Sequence, residues 1–142
     1  MPDQRPTYRE IEHTADLAIE VTAPDLPTLF ASSGEALYAL IADPATIQNR
    51  DGITVTATGD GREELLHAWL CELLALFNVG GFIGKLCEIS HLAEGEVIGK
   101  VTGEKLDLAR HVFRTEIKGV TYHDFKVWQE NGEWYARVIF DV

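Results

Sequence analysis

The segment that decides the fold is residues 60–81, DGREELLHAWLCELLALFNVGG. Its large apolar side chains recur every three or four positions and form two adjacent stripes: Leu65, Leu66, Trp69, Leu70, Leu73, Leu74 and Phe77. This spacing predicts an amphipathic helix with a wide apolar face, and we expect it to be the most buried element. Asp60 and Glu63 are spaced like a capping box that opens the helix, and Gly80-Gly81 would close it.

A second helix is predicted N-terminal to this segment. Asp25 is placed to act as its N-cap, and Pro27 is tolerated in the first helical turn. Apolar residues at helical spacing continue to about Ala42. Asp43-Pro44 should then end the helix, because proline cannot continue it.

The sequence of the rest of the chain predicts mainly β-strands. Alternating or β-branched runs predict strands at Tyr8–Ile11, Asp16–Ala23, Ile53–Thr58, Tyr122–Trp128 and Trp134–Phe140, with further β-rich sequence from Ile83 onward. Asn131-Gly132 favours a type I′ hairpin between the last two strands, and residues 105–110 fit either a loop or one helical turn. The predicted fold class is α+β: two main helices packed on a mostly antiparallel or mixed β-sheet.

Length and charge restrict the possible functions. The 142 residues suit a single compact domain over 1–142. The formal net charge of −11 repels phosphate backbones, so stable direct binding of nucleic acid is not expected. No segment approaches the ~20 apolar residues of a membrane span, and the polar start, residues 1–6, has no signal-peptide character. We therefore expect a cytoplasmic protein with no membrane contact.

Familiar catalytic motifs are missing from the sequence. Residues 80–85, GGFIGK, differ from a phosphate-binding loop in their glycine spacing, and Leu86 stands where Ser or Thr would bind magnesium. Neither HExxH nor GxSxG occurs. Structural roles are favoured for His67, His111 and His123, less strongly for the last two. Cys71 and Cys87 make no CxxC pair, and we expect both to be buried, reduced thiols.

Two aspartates and a lysine are candidates for a functional site. Asp16 is the first residue of a predicted strand, and Asp141 stands beside the carboxylate of Val142 at the end of another. Carboxylate oxygens suit hard divalent cations, although an acidic residue at a strand end is usually only solvated. Lys118 either points outward from a sheet, balances these carboxylates or contacts a phosphate.

Three stretches together resemble the archease family. They are His13-Thr14-Ala15-Asp16, the helix segment 65–74 with its LLxxWLxELL pattern, and the C-terminal series DxxRH, EIKGVTYH and VIFDV at 107–111, 116–123 and 138–142. The order and spacing agree along nearly the whole chain. Gly119 replaces the family's usual alanine, and Val142 replaces a common isoleucine; neither change removes a functional group.

The resemblance implies a protein cofactor that is not itself an enzyme. Archeases assist an RtcB-type RNA ligase in tRNA splicing or RNA repair, promoting guanylylation of the ligase and its multiple turnover. By the same resemblance, Asp16, Asp141 and Val142 would hold a divalent metal, with calcium expected first and magnesium or manganese as alternatives. Lys118 and His13 would lie functionally beside it. A stand-alone metal-dependent hydrolase and a chaperone-like interaction module are the alternative functions.

Overall fold

A computed structural model describes residues 8–11 and 17–142, and it confirms the α+β class. The helices are α1 (Leu26–Ile41) and α2 (Arg62–Asn78), with a short 3₁₀ turn at Pro44–Thr46. The strands are β1 (Tyr8–Ile11), β2 (Leu17–Ala23), β3 (Asp51–Thr58), β4 (Phe82–Ala93), β5 (Glu96–Lys105), β6 (Gly119–Val120), β7 (Lys126–Glu130) and β8 (Glu133–Asp141).

The strands divide into two sheets, where the sequence predicted one. One sheet has the order β1-β2-β8-β6, with β7 also pairing with β8; the other has the order β3-β5-β4. Every pairing described is antiparallel. Alternation within a strand identifies its buried face but carries no information about which strands share a sheet, so the division could not be seen in the sequence.

Helix α1 follows the sequence prediction closely. The Asp25 side chain accepts a hydrogen bond from Thr28 N at 2.8 Å and so caps the first turn. The helix ends at Ile41, immediately before Ala42 and the Asp43-Pro44 break. Nine of its sixteen residues are buried, against seven of seventeen in α2. The expectation that α2 is the most buried element was therefore wrong.

The predicted capping box of α2 was also wrong. The N-cap is Gly61, with φ of 92° and no side-chain hydrogen bond, so Asp60 lies outside the cap position. The Glu63 carboxylate instead accepts from Val127 N at 2.8 Å and ties the first turn of α2 to β7. The Glu63 carboxylate thus makes a tertiary contact, whereas the local sequence pattern predicted a hydrogen bond to the backbone of its own helix. The C-terminal end was predicted correctly: Gly81, with φ of 67°, donates its N–H to Phe77 O.

The two helices approach each other at a small residue. A Cβ on Gly34 of α1 would lie 2.6 Å from Leu73 Cδ1 and 2.9 Å from Cys87 Sγ. Beside this contact, Trp69 Nε1 of α2 donates to Phe30 O of α1 at 3.1 Å. The indole is fully buried, and this hydrogen bond satisfies its N–H group where the helices meet.

The C-terminal hairpin forms as predicted, but its first strand is shorter. Asn131 and Gly132 have φ of 53° and 80°, as a type I′ turn requires. Strand β7 begins only at Lys126, because a turn occupies the preceding residues and places Asp124 at φ of 54°.

The prediction that both cysteines are buried was half right, since Cys87 is buried and Cys71 is exposed. Within the described part of the chain, no helix is long and apolar enough to cross a membrane.

Candidate functional site

The C-terminal end of β8 lies between two other chain segments. On one side Leu17, the residue after Asp16, pairs with Phe140. On the other side Gly119 pairs with Asp141, and Lys118 N donates to Asp141 O at 2.7 Å. Strand pairing therefore brings the backbone of Lys118 against that of Asp141, although 23 positions separate them in sequence.

The polar groups at this end of the sheet are open to solvent. Asp141 and Lys118 are exposed, and Val142 retains 41% of its accessible surface. Asp16 and His13, the other predicted site residues, lie outside the described residues. Among residues 8–11 and 17–142, no group of three or more His, Cys, Asp or Glu side chains is placed to hold a metal ion. The donors that the prediction names are carboxylate and main-chain oxygens, which fit a hard cation such as calcium.

The DxxRH motif at 107–111 has a structural explanation. Glu104, only 2% exposed, accepts from Arg110 Nη2 at 2.7 Å, from Gln48 N at 2.7 Å and from His111 Nε2 at 2.8 Å. His111 Nδ1 in turn accepts from Asp107 N at 2.8 Å. Both ring nitrogens are used, so His111 holds the 107–111 turn against β5.

These hydrogen bonds stabilise the ionised form of Glu104. The bond from Arg110 is the largest cause, followed by those from Gln48 N and His111, and together they lower the pKa of Glu104 to about 2. A perturbed carboxyl is a common sign of an active site, but here every partner is part of one closed network. The motif therefore acts as an anchor for the loop that leads to Lys118.

The segment that carries Lys118 is also held by α2, which the sequence analysis did not foresee. His67 Nε2 contacts Val120 O at 2.7 Å, and Asn78 Nδ2 donates to Ile117 O at 3.3 Å. Since a carbonyl only accepts, His67 must be the donor. This hydrogen bond gives His67 a structural role, and only 7% of its surface is exposed. His67 and Asn78 are eleven positions apart and therefore lie on one face of α2. This spacing of polar residues was the signal in the sequence that could have indicated the contact.

Residues 80–85 do not form a phosphate-binding loop. Gly80-Gly81 follows α2, and β4 begins at Phe82, so this turn leads into a strand and not into a helix as a phosphate-binding loop does. Lys85 Nζ donates to Ile47 O at 3.1 Å. The predicted helix end followed by a turn is what these residues form.

Comparisons with known proteins cover almost the whole chain. The model of the Archease protein family matches residues 8–142. A protein archease of Methanopyrus kandleri is 37% identical over 138 residues, which is 95% of this chain and 99% of that protein. The solution structure of protein 1598 of Methanobacterium thermoautotrophicum superposes with a TM-score of 0.82 at 27% identity, covering 97% of this chain and 100% of that one.

A second solved structure supports the fold alone. The crystal structure of a Thermotoga maritima protein, described as an archease and possible chaperone, has a TM-score of 0.66 at 19% identity, with both chains covered completely. The fold and the exposed groups at the end of β8 define a small α+β protein with its candidate site at one end of a sheet. The chain belongs to the archease family.

Proposed function

We propose that this chain activates an RNA ligase of the RtcB type, promoting guanylylation and multiple turnover of the ligase through a divalent-metal site. Family membership supports the proposal. The observation that carries it is the pairing at the end of β8, where Asp141 and Lys118 meet beside the strand that follows Asp16. The net charge of −11 favours a cation or a basic protein surface as partner, rather than RNA alone.

The proposed metal ligands are Asp16, Asp141 and a main-chain oxygen of Val142, with His13 nearby. Leu17, the residue after Asp16 in sequence, pairs with Phe140, the residue before Asp141, so the start of β2 lies against the end of β8. Among the described residues, none pairs with the Asp141 carboxylate, which leaves it available to a cation. A bound calcium, magnesium or manganese ion would supply positive charge at a phosphate.

Lys118 is proposed to act beside this site. Its main-chain N–H is used by Asp141 O, while its side chain is exposed and has no ion-pair partner within the described residues. An ammonium group held there could bind a phosphate oxygen of the ligase's nucleotide. Its role would be to bind and orient the phosphate, because no nucleophile motif accompanies it.

Metal binding is tested by calorimetric titration with calcium and with manganese. We expect Asp141→Asn to weaken binding at least tenfold, because one of few charged ligands is lost. Glu94→Gln is the matched control, since Glu94 is exposed at the β4–β5 turn of the other sheet. Equal affinity in wild type and Asp141→Asn would remove Asp141 from the site.

The ligase partner is tested by counting ligations per ligase molecule, with and without this protein. We expect turnover to continue only when the protein is present, and phosphoesters to be stable to the protein alone. Hydrolysis by the protein without ligase would favour the stand-alone metal-dependent hydrolase instead.

One observation favours a chaperone-like interaction module as the second candidate. Leu108, Val112 and Phe113 are 71%, 53% and 43% exposed on the loop between β5 and β6. Exposed apolar side chains grouped on a loop can bind other proteins. Suppression of aggregation of unrelated unfolded proteins, lost in Leu108→Ser but not in Asp141→Asn, would support this function.

A further inference from the structure

A buried histidine and an exposed cysteine lie next to each other on α2, and the histidine also contacts β6. His67 and Cys71 are one helical turn apart, and His67 Nδ1 is 3.6 Å from Cys71 Sγ. Cys71 is exposed and is not in a disulfide. Both positions are unspecified in the LLxxWLxELL pattern that resembles the archease family.

The imidazole of His67 is fixed in one tautomer. Its Nε2 donates to Val120 O at 2.7 Å, so in the neutral ring Nδ1 carries the lone pair and faces the sulfur. Tyr122 stacks on the ring with centroids 3.7 Å apart, and Phe125 contacts it edge-on at 5.4 Å. A histidine whose second nitrogen donates to a backbone carbonyl, with its ring held in place, has the arrangement typical of a metal ligand.

The distance between the two atoms fits a tetrahedral metal. Bonds of about 2.05 Å to nitrogen and 2.3 Å to sulfur, at an angle of about 109°, hold N and S about 3.5 Å apart. The separation observed is 3.6 Å, at which the Cys71 thiol donates a hydrogen bond to His67 Nδ1 in the metal-free protein. A zinc-sized ion can therefore bind both atoms without the helix changing shape.

We propose that His67 and Cys71 form a two-residue binding site for a borderline or soft divalent cation, zinc being the best match. Imidazole nitrogen and thiolate sulfur are the donors that this class of ion prefers, in contrast to the oxygen donors of the chain-end site. Water molecules complete the coordination, so the site is open and weaker than a four-ligand structural zinc site. The acidic protein surface adds general attraction for cations.

Binding requires loss of the thiol proton. Desolvation raises the pKa of Cys71, and the carboxylate of Glu72 raises it further, so the sulfur is protonated at neutral pH in the metal-free protein. One metal–sulfur and one metal–nitrogen bond form, two water ligands leave the cation, and one proton passes to solvent.

The test is titration of the reduced full-length chain with cobalt(II), followed by competition with zinc. We expect one equivalent to produce a sulfur-to-cobalt charge-transfer band in the near ultraviolet, and zinc to abolish it. Cys71→Ser should remove the band and lower affinity at this site at least tenfold. His91→Gln, which changes an exposed histidine on β4, should leave both unchanged.

The charge-transfer band separates this site from oxygen-ligated sites, because only a thiolate produces it. Its absence in wild type would overturn the proposal. Its persistence in Cys71→Ser, with unchanged melting temperature, would do the same by assigning the band to Cys87. Asp141→Asn should leave the band intact, so the result does not depend on the proposed chain-end metal site.

Discussion

Glu104 shows how one buried carboxylate can decide the conformation of a loop. It receives hydrogen bonds from three directions, and these fix the turn at 107–111 from which the chain runs toward Lys118. Its folded pKa of about 2 lies below the ordinary value near 4.3 for an unfolded Glu. The stabilisation is thus complete above roughly pH 4.3, decreases below it and is lost as pH falls through about 2.

Glu104→Gln should expose this dependence. The amide has only one acceptor atom for three donors, so we expect a lower melting temperature at pH 7. Because the variant carries no titrating group at 104, the gap in melting temperature between it and wild type should narrow from pH 5 toward pH 2. A gap that stays constant over this range would show that the ionised carboxylate is not what stabilises the loop.

Lys118→Ala separates function from stability at a single position. The exchange leaves the main-chain N–H that Asp141 O accepts, so the free energy of unfolding should change by no more than about 0.5 kcal/mol. Stimulation of an RtcB-type ligase should nevertheless fall at least tenfold. Lys105→Ala, at another exposed lysine, is the control; full stimulation by a folded Lys118→Ala protein would exclude the side chain from the site.

The elements were predictable where local chemistry decides them. Asp25 caps α1, Asp43-Pro44 follows its end, and Asn131-Gly132 turns the hairpin, because each depends on residues close in sequence. Glu63 was misassigned because it bonds Val127 N, 64 positions away. The pairing of Lys118 with Asp141 also depends on strand order, which is a long-range property; only the family resemblance connected these residues beforehand.

The packing of α1 against α2 is sensitive to one added methyl group. Gly34→Ala should gain about 1 kcal/mol of helix propensity but lose roughly 1–3 kcal/mol to overpacking against Leu73 and Cys87. We expect a net loss of up to about 2 kcal/mol in urea unfolding. Gly119→Ala is the matched control, since its added Cβ meets nothing within 4 Å and should change stability by no more than about 0.5 kcal/mol. Equal stability of the two variants would contradict this account of the helix contact.

At the scale of the whole molecule, the net negative charge opposes direct binding to RNA but does not oppose binding to a protein partner. With a formal charge of −11, the chain should bind a fluorescent single-stranded RNA at least a hundredfold more weakly than an RtcB-type ligase does in about 0.15 M salt. Fluorescence anisotropy measures both affinities under the same conditions. Comparable affinities would mean that the acidic surface conceals a nucleic-acid site.

We propose that the protein acts on the ligase through the end of β8. The most direct measurement is covalent guanylylation of a purified RtcB-type ligase, with radiolabelled GTP and manganese, at substoichiometric amounts of this protein. Wild type and Glu94→Gln should accelerate label incorporation at least tenfold, whereas Asp141→Asn, folded and with unchanged melting temperature, should not. A ligase that is guanylylated at the same rate with and without the wild-type protein would contradict the account.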